Sequence, residues 1–225
     1  MNAADRRPAP AGAEAFAGLG LSELRALAVK RLGTPGRHRP DVLLLESGSG
    51  TRAVLKDFGD RGLRALLGRW LASREARAHR ALQGLDFVPR LWRRVGPAAL
   101  LFEWRDASPL LEGARAKVTE SFFEEFRRDV DRLHERGVAH LDLRGRRNVL
   151  VDAAGRPAIV DFGAAAVVGR RSPLRLLFPL LRAIDRGAIL KHKRRLRPSS
   201  LSEAERRADR FFATLGRLWH GVRLH

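Results

Sequence analysis

The chain has 225 residues, 44% of them hydrophobic, and its 44 Lys+Arg against 25 Asp+Glu give a formal net charge of +19. The absence of cysteine excludes a disulfide scaffold, a Cys-ligated zinc site, an iron–sulfur cluster and a thiol nucleophile. The apolar content excludes wholesale disorder, and the length suffices for one domain of two lobes with a real core.

Residues 1–20 are rich in Ala, Gly and Pro without a continuous apolar run, and read as a disordered tail rather than a signal peptide. Ser22 is placed to cap a helix running to about Arg31, followed by a Gly/Pro loop from Gly33 to Pro40. Asp41–Glu46 and Arg52–Phe58 read as a hairpin around Ser47-Gly-Ser-Gly50. Leu63–Leu82 reads as a helix with Leu63, Leu66, Leu67, Trp70 and Leu71 on one side. Pro89–Trp92 and Ala98–Glu103 read as two further strands.

In the second half, Ser121 and Glu124 have capping-box spacing. The helix they would start places Phe123, Phe126, Val130 and Leu133 on one buried face and stops at Gly137. Val149–Val151 and Ala158–Val160 read as a strand pair around Asp152–Gly155. The remainder is basic and helical, with a second capping box at Ser202 and Glu205, and Phe211 and Phe212 read as core. Residues 164–225 hold 15 Lys/Arg against 4 Asp/Glu, so most of the net charge lies there. Only five of the 44 basic residues are lysine, a bias that most simply reflects a GC-rich bacterial genome. Arginines and apolar residues alternate over Arg170–Arg182, which suits contact with an anionic membrane surface. The expected location is cytoplasmic, peripheral on the inner membrane. Nucleic acid is not an expected partner, since no RRM or KH pattern occurs.

The chemistry concentrates in Val138–Val151 and Ile159-Val-Asp-Phe-Gly163. A loop between a helix and a strand carries Asp142 and Asn148, and Asp161 ends the next strand. Asp142 is placed to accept a hydroxyl proton. Asn148 and Asp161 offer hard oxygen donors of the kind Mg²⁺ takes.

The order His-x-Asp-Leu, Asn-Val-Leu-Val, Asp-Phe-Gly resembles the catalytic core of the protein-kinase-like superfamily. Upstream, Val54-Leu-Lys56 resembles the strand lysine that holds nucleotide phosphates, and Glu75 its ion-pair partner. Ala99–Trp104 resembles the last strand and hinge, with Glu103 and Trp104 at the adenine site. The resemblance implies ATP and Mg²⁺ as cofactors and an α+β, two-lobed fold with a reduced helical C-lobe. The N-lobe would span 21–104 and the C-lobe 105–225. His140 is expected to hold the loop rather than to react. Three departures accompany the likeness. Asp142 and Asn148 are six apart where the usual motif has five, no Gly-x-Gly-x-x-Gly precedes Lys56, and no Ala-Pro-Glu follows Gly163. The short C-lobe is similar to the lipopolysaccharide core kinases, which phosphorylate Kdo or heptose hydroxyls on a glycolipid, and to the RIO-type atypical Ser/Thr kinases. The first is the preferred reading. The alternatives are a RIO-like protein kinase and a non-catalytic nucleotide-binding module at the membrane surface.

Overall fold

The structure, a computed structural model, describes residues 12–33, 40–59, 64–110, 117–145, 147–169 and 171–211. The chain divides into two units, Met1–Gln83 with Pro89–Arg105 and Gly84–Val88 with Asp106–His225.

The first unit is built on a five-stranded antiparallel sheet in the order β1-β2-β3-β5-β4: β1 Ala28–Arg31, β2 Asp41–Glu46, β3 Arg52–Asp57, β4 Leu91–Val95 and β5 Ala99–Glu103. The β2–β3 hairpin closes around Ser47–Gly50 as expected, with Glu46 opposite Arg52 and the Gly50 amide donating to the Ser47 carbonyl. One face of the sheet packs Leu45, Ala53, Leu55, Ala99 and Leu101 against Phe16 and Leu24. The expected disordered tail is therefore corrected from Gly12 onward. Ala13–Phe16 forms a 3-10 turn and Phe16 is fully buried; residues 1–11 lie outside the described residues. The helix expected from Ser22 to Arg31 is also shorter. It ends at Ala26 (α1, Leu21–Ala26), because Ala28–Arg31 pairs with β2 instead.

Helix α2, Arg64–Ala81, packs on the other face, where Ala72 and Ala76 meet Leu100 and Phe102. Its buried side is not the leucine side. Leu66 is 71% exposed, and Leu67 and Trp70 are exposed as well, while Gly68, Ala72, Glu75, His79 and Leu82 face inward at steps of 4, 3, 4 and 3. The reason is proximity. A Cβ at position 68 would lie 2.3 Å from the Gly59 carbonyl oxygen, so the helix approaches the end of β3 through its small residues. Leu63 lies outside the described residues.

The second unit contains α3, Glu120–Glu135, and α4, Phe178–Leu196, with a three-stranded sheet β6-β8-β9 (Ala107–Pro109, Val149–Asp152, Pro157–Ile159) and a two-stranded pair β7-β10 (Val138–Ala139, Ala166–Val167). Phe123, Phe126, Val130 and Leu133 of α3 are buried as the spacing implies. Its cap is Thr119, whose hydroxyl accepts from the Phe122 amide, and not the expected Ser121–Glu124 box. The second box does form: Glu205 accepts from the Ser202 amide at 2.8 Å and Ser202 Oγ accepts from the Glu205 amide at 3.1 Å. Phe211, expected in the core, is 62% exposed, and Phe212 lies outside the described residues.

Candidate functional site

In the first unit, β3 and α2 bring Lys56 and Glu75 together. Both are buried, and Lys56 Nζ lies 2.8 Å from each oxygen of the Glu75 carboxylate. Strand alternation turns Lys56 toward the helix face, and the small residues of α2 let Glu75 come within reach. A buried pair of this kind is stable only because each charge neutralises the other at contact distance. Glu103 ends β5. Its backbone amide donates to the Arg90 carbonyl and its carboxylate accepts from the Arg90 amide, so this side chain ties β5 to the entry of β4. Trp104 follows, with a buried indole nitrogen that makes no hydrogen bond among the described residues.

In the second unit, the loop between β7 and β8 carries Asp142 and Asn148. Asn148 Nδ2 donates to the Asp142 backbone carbonyl and to Asp142 Oδ2, both at 2.8 Å. The additional loop residue is absorbed by two successive turns, from the Gly145 amide to the Asp142 carbonyl and from the Asn148 amide to the Gly145 carbonyl. Position 145 must be glycine for this contact, since a Cβ there would stand 2.8 Å from Asn148 Nδ2. Arg146 lies outside the described residues.

Asp161 joins them through Val160. The Val160 amide donates to the Asn148 carbonyl at 3.0 Å, and the Val160 carbonyl accepts from His140 Nε2 at 3.0 Å. Asp161 takes a left-handed backbone conformation (φ +65°), and its exposed carboxylate accepts a long bond from the Gly163 amide. Phe162 behind it is fully buried against the His140 ring, 4.7 Å between centroids. The Asp142 amide donates to His140 Nδ1 at 3.3 Å. His140 is therefore the neutral Nε2–H tautomer, and burial holds its pKa below the ordinary value. It organises the loop, as expected.

Sequence reasoning missed the groups that brace this loop from α4. Asp185 is fully buried. Its Oδ2 accepts from the His140 amide at 2.8 Å and from His134 Nε2 at 3.0 Å, and its Oδ1 accepts from the Leu141 amide at 2.8 Å. These bonds hold Leu141 at φ +66°, an uncommon conformation for leucine that the loop needs in order to turn. Seven residues on, on the same side of α4, His192 Nε2 donates to the Leu143 carbonyl at 2.8 Å. Asp142 is thus pinned from one helix on both sides of its position in the chain. A signal did exist: Asp185 is the only acidic residue between Asp161 and Glu203. Lys193 anchors the far end of α4, its ammonium donating to Glu120 at 2.5 Å and to Glu205 at 3.0 Å. Those bonds lower the pKa of Glu120 and raise that of the lysine, and at Glu205 the Ser202 amide together with Lys193 lowers it against burial.

The residues fit a hard cation. The Asn148 amide is oriented by its two donated bonds, leaving the carboxamide oxygen as its remaining donor, and Asp161 supplies a carboxylate. Mg²⁺ takes few protein ligands and fills its shell with water and phosphate oxygens. No cluster of three or more His, Asp or Glu side chains suited to a metal occurs among the described residues.

No protein-family model matches the chain, and no curated protein matches it. Solved structures do. The Rio2 kinase from Chaetomium thermophilum is 17% identical with a TM-score of 0.57, over 85% of this chain and 69% of that one. The complex of the Rio2 kinase from the same organism with ADP/Mg²⁺ and phosphoaspartate is 19% identical with a TM-score of 0.57, over 85% of this chain and 67% of that one. At such identity the likeness concerns architecture, and together with the antiparallel sheet and helical second unit it establishes that the chain has the protein-kinase-like fold.

Proposed function

We propose that the chain transfers the γ-phosphoryl group of ATP to a hydroxyl, and that the acceptor is a sugar of a lipopolysaccharide-type glycolipid. Lys56, held by Glu75, binds the α- and β-phosphate oxygens, and the backbone at Glu103 and Trp104 receives the adenine. Asn148 and Asp161 hold Mg²⁺, which when bound neutralises charge on the phosphates. Asp142 orients the acceptor hydroxyl and takes its proton as the oxygen bonds to phosphorus and ADP departs with the electron pair of the broken bond. Such catalysis consists of positioning and electrostatics.

The observation that carries this reading over a non-catalytic module is the Asp142–Asn148 contact, kept at 2.8 Å despite the lengthened loop. A glycolipid acceptor is favoured by the exposed leucine and arginine segment preceding α4. A Ser/Thr protein kinase is the second reading, favoured by the architectural likeness to the Rio2 kinase.

The test is transfer of labelled γ-phosphate from Mg-ATP, with wild type and Asp142→Asn in parallel, to a bacterial membrane glycolipid extract and separately to a protein extract. Label is expected in the glycolipid, lower by at least ~10²-fold in the variant, with ATP binding retained. Label confined to protein selects the second reading. No label in either fraction, with ATP bound by both proteins, rejects the enzyme.

A further inference from the structure

The 3-10 turn Pro173–Leu177, which leads directly into α4, has no buried residue. Leu176 is 89% exposed; Leu174, Leu177 and Leu180 are about half exposed, and Ile184 is exposed as well. Ten large hydrophobic side chains are exposed among the described residues, and five of them fall within these eleven positions. That concentration marks an interaction surface rather than the scattered apolar exposure normal for a soluble protein. The frame is fixed: the Leu174 amide donates to Ser172 Oγ and the Arg175 amide to the Ser172 carbonyl. The apolar row then continues along the first turns of α4, where Leu180 and Ile184 are one turn apart.

The charge around this row identifies its occupant. Between residues 170 and 186 the chain has five arginines and one acid. The acid, Asp185, is buried and committed to the catalytic loop, and Arg186 is paired with Asp131 at 2.8 Å, so neither bears on the charge beside the leucines. Arg171 and Arg175 are exposed beside the leucines. A second copy of the chain would bring the same cations against these. An anionic bilayer supplies what both sets of side chains lack, negative headgroups for the guanidinium groups and an acyl boundary for the leucines. No described helix is long and apolar enough to cross a membrane, so any contact of this segment is interfacial.

We propose that Pro173–Ile184 is a membrane-docking surface that seats its leucines at the acyl boundary of an anionic bilayer. Ile184 adjoins Asp185, so the same rigid helix that meets the lipid braces the loop of Asp142. The docking surface deepens the glycolipid reading, by placing that acceptor at the enzyme's own interface, but its test does not depend on catalysis.

The full chain, without ATP, is sedimented with vesicles of phosphatidylcholine alone and of phosphatidylcholine with phosphatidylglycerol. Binding is expected to the anionic vesicles only and to weaken as salt rises. Leu176→Glu should weaken it at least tenfold, and Arg175→Ala by about fivefold, the effect of one basic residue near a charged surface. Both side chains are exposed, so thermal melting of the variants should match wild type. The proposal is overturned if wild type stays in the supernatant, if Leu176→Glu sediments as wild type does, or if the leucines instead drive a concentration-dependent dimer that ignores lipid. Vesicle binding without phosphoryl transfer would retain the surface and reject the kinase; transfer without vesicle binding would do the reverse.

Discussion

Glu75 and Asp185 are both carboxylates with about 1% exposure, one in each unit, and they are accommodated in opposite ways. Glu75 meets a full charge, Lys56 Nζ at 2.8 Å. Asp185 meets two backbone amides and an imidazole. The first arrangement fixes a charge in place; the second fixes the course of a loop. An ion pair keeps a buried lysine ionised, whereas amide donors on a carboxylate keep a loop in one conformation. A third acid, Asp129 of α3, is also buried, and among the described residues its ion-pair contact is with Arg132 at 3.4 Å. Burial accordingly raises its pKa to about 7.

The sharpest way to break this comparison is to remove one member of the ion pair. Lys56→Met leaves Glu75 buried without its cation and should cost about 3–5 kcal/mol in urea denaturation. Lys56→Met with Glu75→Leu should recover most of that loss without restoring ATP binding. An unstable double variant would mean that the pair's worth lies in packing rather than in charge.

Asp129 tests what happens to a buried acid whose one charged contact, Arg132 at 3.4 Å, does not offset its burial. In the unfolded chain it titrates near the ordinary value of about 3.9. Between about pH 4 and pH 7 the folded state therefore holds a proton that the unfolded state has released. Stability should fall as pH rises through that window, by at most about 4 kcal/mol. Asp129→Asn should flatten this slope. Glu120, held below its usual value by Lys193, and Glu205, held below its own by the Ser202 amide and Lys193, act in the opposite sense: their contribution is present above about pH 4.5 and is lost as pH falls below it. A variant with the wild-type slope between pH 4 and 7 would refute the assignment.

Asp185→Ala orphans two backbone amides and should cost about 2–4 kcal/mol, with Asp185→Asn, which keeps one acceptor, costing less. If Asp185 acts through the loop, kcat falls in the asparagine variant while KM for ATP stays put. His192→Ala, which leaves one carbonyl without its donor, should cost about 1–3 kcal/mol. Gly145→Ala should have the smallest effect on stability, below about 1 kcal/mol. It should nevertheless lower phosphoryl transfer by at least about tenfold and raise the Mg²⁺ concentration needed for half-maximal rate, because its Cβ displaces the Asn148 amide.

The sequence alone placed the hairpin around Ser47–Gly50, the buried face of α3, the Ser202–Glu205 box, and the order of Lys56, Glu75, Asp142, Asn148 and Asp161 along a kinase-like chain. These features are local: a turn type, a 3.6-residue period, a cap or a short motif each depends on residues a few positions apart. Tertiary structure decided the rest. Periodicity in α2 marks an apolar side but does not say which side docks; close approach at Gly68 chose the alanine face and left the leucines outside. Ala28–Arg31 left the expected helix because β2 offered pairing that a helix end does not. Asp185 and His192 reach their loop partners across 44 to 49 residues, a distance at which no spacing rule operates. The chemistry of the loop is therefore written locally, and its rigidity comes from a helix that only folding brings to it.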